Sequence, residues 1–268
     1  MEENSNNINE DIEETELSHL DKMIGLFTEP GETFRLIGQA PARITDWLIP
    51  IIIVLIVSIG SQFLVMNNPV LKMQVVEKQM AAVAENFEKA VKDGNMTQEA
   101  ADAQMEIVRG QVEQGMSAGM AIQAVIGVVA GIIFFFILAS IFFGIFKVAF
   151  KSQIDFNHGL VAFGLPGYIT VLGVIVTLVY MFVTDHYIQT FDAASIMGLN
   201  KVNFGEFLLG KVVPFSIWAF ALVGLGYAKM SYEKSSVKYI GLILGVWFVW
   251  GVLMYFLSAY FPFFKYFT

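Results

Sequence analysis

The sequence contains no cysteine and carries little charge for its length. Without cysteine, the chain cannot hold disulfides, thiolate zinc sites, iron–sulfur clusters or a cysteine nucleophile. Charged residues make up 15% of the 268 residues, whereas an average soluble domain has about 25%. Apolar residues make up 56%, and the mean hydropathy is +0.63. This composition disfavours a soluble globular protein and indicates an integral membrane protein.

Five apolar runs are long enough to cross the hydrocarbon core of a bilayer, which takes roughly 17–25 residues. They cover residues 47–66, 121–146, 160–183, 207–228 and 239–263. We therefore predict an all-α, polytopic membrane protein with five transmembrane helices and a membrane domain over residues 47–268. No cofactor is expected, and the net charge of −8 disfavours nucleic acid as a partner.

Two segments precede the first predicted span. Residues 1–18 are polar and acidic, which predicts a disordered tail. Residues 19–46 carry two short amphipathic patterns, and we predict helices over His19–Thr28 and Glu32–Gly38 with a break between them. Short amphipathic helices beside a span are typical of the membrane interface, with their apolar side toward the lipid.

A third segment, residues 67–118, is a polar insertion between the first and second spans. Apolar residues at helical spacing over 72–91 and again after Thr97, with a turn between them, predict an extramembrane helical hairpin. Membrane lipid is the first partner that we expect. An unknown protein partner would bind through residues 1–46 or 67–118, the two water-facing parts of the chain.

The distribution of lysine and arginine predicts the topology. If the N-terminus is cytoplasmic, the segments on that side carry eight basic residues, which are Lys22, Arg35, Arg43, Lys147, Lys151, Lys229, Lys234 and Lys238. The short segments on the opposite side carry three, which are Lys201, Lys211 and Lys265. The positive-inside rule then favours a cytoplasmic N-terminus and a C-terminus on the opposite side. Counting the five bases of the 67–118 insertion would cancel this bias.

The predicted spans offer few groups for catalysis. No Asp, Glu or His lies deep inside a span, and Lys211 is close enough to a span end to reach the interface. Serine hydroxyls without a nearby base do not form an intramembrane nucleophile. Asp155 and His158 could supply two metal ligands, but no third ligand is visible. We therefore expect no catalytic residue and no metal site, and a protein that is not an enzyme.

Small residues recur at four-residue spacing in two spans. Gly127 and Gly131 form one GxxxG pattern, and Gly241 and Gly245 form another. Such spacing allows helix backbones to approach closely in lipid. We expect these glycines to pack helices within one molecule, and the alternative is a homo-oligomer.

Prolines and aromatic residues mark other positions in the spans. Pro166 and Pro214 interrupt the third and fourth spans. Each is expected to kink its helix, but such breaks also occur at transporter substrate sites. Aromatic residues near span ends, among them Tyr168 and Tyr239, are typical of interfacial anchors.

The order and spacing of these features resemble the Yip domain family (Ypt-interacting-protein-type membrane domain) in its bacterial branch. The resemblance covers roughly residues 20–263 and begins with the stretch 23–37, which is similar to the family's juxtamembrane F-x-x-P-x-x-x-F-x-x-I opening. It continues at the proline of the third span, at a Val-Pro-Phe-Ser-Ile-Trp stretch in the fourth, and in the number of spans. The residues that carry it are Phe27, Pro30, Phe34, Pro41, Trp47, Pro166, Gly167, Pro214, Trp218, Gly224 and Gly226.

The resemblance implies a five-helix domain in the bacterial cytoplasmic membrane, with a cytoplasmic N-terminus and no catalytic residue. Eukaryotic members are associated with Rab GTPases and Golgi vesicle traffic, which bacteria lack, so that role does not transfer. The 67–118 insertion also departs from the compact eukaryotic pattern. We therefore expect a non-enzymatic adaptor or membrane-organising protein that acts through helix packing and protein or lipid partners. The alternative is a small-solute transporter or channel that uses the two proline-broken spans.

Overall fold

The computed structural model describes residues 17–201 and 203–260, without the side chains of 111–124 and 259–260. Most of the predicted acidic tail, residues 1–18, and the last residues of the predicted fifth span therefore lie outside the described residues. All regular structure in the described part of the chain is α-helical, and several of its helices are long and apolar enough to span a membrane. The predicted fold class, an all-α polytopic membrane protein, is confirmed.

Two short helices precede the bundle, α1 (His19–Thr28) and α2 (Pro30–Ile37). Ser18 caps α1 through a capping box with Asp21, which satisfies backbone N–H groups at the helix start. The break between the helices is the single residue Glu29, shorter than the sequence suggests, because a proline at the first position of a helix needs no N–H partner.

Nine further helices follow in the described chain. They are α3 (Ile44–Asn67), α4 (Pro69–Lys92), α5 (Gln98–Phe150), α6 (Phe156–Gly164), α7 (Gly167–Thr184), α8 (Ala193–Ile196), α9 (Phe204–Gly210), α10 (Pro214–Met230) and α11 (Val237–Tyr260). Four stretches meet the length and hydropathy of a membrane span, namely Ile44–Asn67, Val125–Phe150, Phe156–Thr184 and Val237–Ser258. The pair α9 and α10 makes a fifth if it is counted as one span, although it is bent by 62° where Pro214 begins α10.

The chain runs back and forth between two ends of the bundle. One end, which we call the N-terminal face, holds α1, α2, the start of α3 and the end of α10. The other end, the hairpin face, holds α4, the end of α7 and the loop residues 185–201. Helix α11 begins beside α10 at the N-terminal face, and its Tyr255 lies against Phe207 of α9 at the other end.

The 67–118 insertion folds into two helices that pack on each other. Asn68 caps α4 and Thr97 caps α5 through their side-chain oxygens. Helix α5 is 53 residues long and continues from the insertion into the second span, where the sequence suggests separate helices. The side chain of Gln74 in α4 donates to the carbonyl of Asp185 and accepts from the backbone N–H of Tyr187, which fastens the hairpin to the bundle.

The main hydrophobic core lies toward the N-terminal face. It joins α2, α5, α6, α7, α10 and α11 through buried aromatic and aliphatic side chains. Phe146 of α5 has its ring centroid 4.3 Å from Tyr227 and 5.3 Å from Tyr239. A smaller cluster around Val65, Leu71 and Met181 lies at the hairpin face. The N-terminal face is thus the more densely buried end of the bundle.

Candidate functional site

The N-terminal segment is packed into the bundle at its most buried end. Phe34 of α2 is fully buried, and a Cβ atom at Gly226 of α10 would lie 3.0 Å from its ring. A Cβ atom at Gly38, just after α2, would lie 2.9 Å from the backbone Cα of Met230. The aromatic ring and the two glycines therefore fit the segment directly onto the end of the fourth span.

A second set of close contacts joins the first span to the third. A Cβ at Gly164 would lie 2.9 Å from the Cα of Trp47, and one at Gly167 would lie 3.4 Å from Pro50. The indole of Trp47 stacks on Phe135 of α5, with ring centroids 5.8 Å apart. Glycines at the end of α6 and at the start of α7 thus allow α3 to approach closely.

The other residues of the Yip-like motifs lie around these contacts. Gly224 approaches the backbone of α11, where its Cβ would lie 2.7 Å from the Cα of Ile240. Trp218 is partly exposed, and its ring packs edge to face with that of Phe27, with the ring centroids 5.9 Å apart. The remaining four motif residues are prolines at breaks between helices. Pro30 begins α2 and Pro214 begins α10. Pro166 separates α6 from α7, and Pro41 is exposed in the link to α3.

A buried ion pair holds α1 against α3. The ammonium Nζ of Lys22 donates to Oδ2 of Asp46 at 2.6 Å, and the two residues are 6% and 1% exposed. His19 lies between Asp46 and the third span, with Nδ1 3.5 Å from Oδ1 of Asp46 and Nε2 hydrogen-bonded to the hydroxyl of Tyr168 at 2.6 Å. We call these four residues the buried charge cluster. It links α1, α3 and α7 through groups that are costly to bury unpaired.

The sequence interpretation missed this cluster. Asp46 is placed before the predicted start of the first span, whereas α3 begins at Ile44 and includes it. Tyr168 and Tyr239 are buried in the bundle, at 7% and 0% exposed, so their interpretation as interfacial anchors is wrong. For the charge cluster, Asp46 was a signal in the sequence, since an acid in the first turn of an apolar span requires a partner.

Asp155 and His158 have a structural role in the described chain. Asp155 caps α6 by accepting from the backbone N–H of His158, and its Oδ1 lies 3.0 Å from the ring Nδ1. The other ring nitrogen lies 3.0 Å from the carbonyl oxygen of Ala40, which ties the link before α3 to α6. Partial burial raises the pKa of Asp155, but the hydrogen bonds from His158 outweigh it, so this pKa lies below its usual value.

A second buried carboxylate organises the loop at the hairpin face. Asp192 is fully buried and accepts from the backbone N–H and the hydroxyl of Ser195, both at 2.8 Å. Lys201 completes the set, with its Nζ 2.8 Å from Oδ2 of Asp192. These bonds give the loop between the third and fourth spans a fixed shape around α8.

Two cavities lie where prolines interrupt the spans. One, of about 260 Å³, lies toward the hairpin face between α3, α7 and α10, and Val213 and Phe215 on either side of Pro214 line it. The other, of about 300 Å³, lies toward the N-terminal face and is lined by Pro166 and Gly167. Thr170 and Ser216 border both cavities. The two proline breaks therefore open onto adjoining spaces inside the bundle.

The GxxxG glycines do not all pack as expected. A Cβ at Gly131 would lie 3.2 Å from Leu55, which is a contact between the second and first spans. Gly127, Gly241 and Gly245 have no described atom of another helix within 4 Å of a Cβ position. The expectation of packing within one molecule is wrong for these three. All three are exposed on the outer surface of the described structure.

Comparison with known proteins gives no assignment. No protein-family model matches the chain, and neither a curated protein nor a solved structure matches it. The resemblance to the Yip domain family therefore stands on the sequence motifs quoted above. The structure brings several motif residues together, among them Phe34 with Gly226 and Phe27 with Trp218.

Proposed function

We propose that the protein is a Yip-type, non-enzymatic integral membrane protein that acts as an adaptor or membrane-organising protein. Its location would be the bacterial cytoplasmic membrane, with the N-terminus in the cytoplasm and the C-terminus on the opposite side. The observation that carries the proposal is the docked segment 19–46, which is fixed to the spans by Phe34, Gly38 and the buried charge cluster. A segment held so firmly beside the membrane presents a defined surface to a partner.

The outer face of α1 is suited to contact with lipid or a protein. Leu20, Ile24 and Phe27 are 58%, 50% and 40% exposed, although the opposite face of the same helix is buried through Lys22 and Leu26. Exposed apolar side chains clustered on one helix face commonly mark an interaction surface. Some of the basic residues counted for the positive-inside rule, such as Arg35, Lys229 and Lys238, lie at this end of the bundle and favour a cytoplasmic, anionic membrane surface.

Site-specific photo-crosslinking in native membranes tests the adaptor proposal. A photoreactive amino acid at Ile24 is expected to give a discrete protein adduct, because this position faces outward from the docked segment. The same probe at Ile56, which is 63% exposed in the first span, serves as the control and should give lipid adducts only. Lipid adducts alone from both positions, or turnover of a substrate by the purified protein, would count against the proposal.

A small-solute transporter or channel is the second candidate, and the two cavities beside the proline breaks favour it. Such breaks free backbone groups that can bind a substrate inside a membrane domain. Flux measured in proteoliposomes separates the candidates. Flux that Pro214→Ala abolishes, and that Pro69→Ala at the start of α4 leaves unchanged, would promote the transporter over the adaptor.

A further inference from the structure

The two cavities differ in the chemistry of their walls. Serine, threonine and glutamine side chains, among them Ser58, Gln62 and Thr190, line the cavity toward the hairpin face together with apolar side chains. Aliphatic and aromatic side chains, such as Ile51, Leu55 and Phe220, line the cavity toward the N-terminal face. The two meet at Thr170 and Ser216, so a space of mixed polarity and an apolar space adjoin.

Hydroxyl groups at the junction have no partner within the described chain. Elsewhere in these helices, hydroxyls donate to a carbonyl of their own helix, as Ser61 does to Ser58 at 2.8 Å and Thr177 does to Gly173 at 2.7 Å. Thr170 and Ser216 form no such bond in the described residues, and Thr170 is exposed to the cavities. Neither hydroxyl is used by the backbone of its own helix, so both can bond to a ligand with hydrogen-bonding atoms.

The walls exclude a charged ligand group. None of the described residues that border the two cavities is an Asp, Glu, Lys, Arg or His. Tyr187, in the loop after α7, is the titratable residue among them, and burial raises the pKa of its hydroxyl, so it is neutral. A charged group would enter without a counter-ion, at high cost in a site of low polarity.

We propose that the two cavities form one binding site for a single-chain amphiphile with an uncharged, hydrogen-bonding head, of the monoacylglycerol class. The head lies in the cavity of mixed polarity and bonds to Thr170 and Ser216, and the acyl chain lies in the apolar cavity. Together the cavities reach the size of roughly 300–1,000 Å³ that is typical of small-molecule sites. This binding goes beyond the adaptor role and does not depend on it.

Binding of 1-monolauroylglycerol to the purified full-length protein in detergent tests the chemistry of the site. Native mass spectrometry over a concentration series should show one saturable adduct. Laurate, which has the same chain length and a charged head, is expected to bind at least about tenfold more weakly, and glycerol without a chain should not bind. Equal binding of laurate, or adducts that rise without saturation, would overturn the proposal.

Variants locate the site within the bundle. Ile51→Trp fills the apolar cavity and should weaken monolauroylglycerol binding at least about tenfold, whereas Ile52→Trp, at a residue 44% exposed on the same helix, should leave it unchanged. Thr170→Val keeps the volume and removes one hydrogen bond, with about a fivefold loss expected. Thr184→Val removes a hydroxyl that donates to Tyr180 of its own helix and is the matched control. Equal effects of each variant and its control would place the amphiphile elsewhere.

Discussion

Asp46→Leu is expected to lower the free energy of unfolding by about 3–5 kcal/mol, because it leaves the ammonium of Lys22 buried without a counter-ion. Lys22 is 6% exposed and its Nζ lies 2.6 Å from Asp46, so the charge cannot reach water without moving α1. Denaturation of the purified variant in mixed micelles measures the loss. Proteolysis should also cut the 19–46 segment faster, because α1 leaves the bundle when its anchor is removed.

Two further variants test whether the loss of stability comes from breaking the buried pair or from removing any charge. The double variant Lys22→Met with Asp46→Leu removes both charges and should recover stability to within about 1 kcal/mol of the original protein, since a buried pair is often no better than apolar side chains of similar size. Glu32→Gln breaks the ion pair with Arg35, which is exposed to water, and should leave the free energy of unfolding nearly unchanged. A double variant as unstable as Asp46→Leu alone would contradict the role of the pair.

Gly224→Val is expected to destabilise the bundle by about 3 kcal/mol or more, at the upper end of the range for overpacking. A Cβ at this position would lie 2.7 Å from the Cα and 2.8 Å from the N of Ile240. These are backbone atoms, which cannot rotate aside, so α10 and α11 must separate. The melting temperature of the detergent-solubilised protein and its yield from the membrane measure the effect.

Gly241→Val is the matched control, since the same change is made in the neighbouring helix. No described atom of another helix lies within 4 Å of a Cβ at Gly241, so its cost should stay within about 0.5 kcal/mol, as at other surface positions. A loss of stability at Gly241 equal to that at Gly224 would contradict the helix arrangement. A change confined to the oligomeric state would instead identify the surface with Gly241 and Gly245 as a contact between copies.

The membrane spans and the hairpin could be predicted from the sequence because their signal is local. A run of about 20 apolar residues has one stable arrangement in a bilayer, and the 3.6-residue pattern of the insertion marks its helices directly. Helix caps are local as well, and Thr97 caps α5 as its position suggests. The sequence places a boundary between hairpin and span at residues 119–120, but α5 continues through them without a break.

The buried charge cluster and the cavities could not be predicted, because they depend on pairing between distant segments. Lys22 and Asp46 are 24 residues apart, and His19 and Tyr168 are 149 apart. Hydropathy places each of these residues near a span end and contains no information on its partner. The hydroxyls of Thr170 and Ser216 are similarly ordinary in the sequence, and only the meeting of α7 with α10 brings them to one site.

Single-cysteine labelling in intact and inverted membranes tests the central claim, which is that a segment docked on the cytoplasmic end precedes spans that place the hairpin outside. The chain has no cysteine, so each introduced thiol is the only one present. We predict that Thr28→Cys and Ser235→Cys react only from the cytoplasmic side, and that Asn95→Cys reacts only from the other side. Phe34→Cys, at a fully buried position, should resist labelling from both sides. Labelling of Asn95→Cys and Thr28→Cys from the same side, or ready labelling of Phe34→Cys, would contradict the claim.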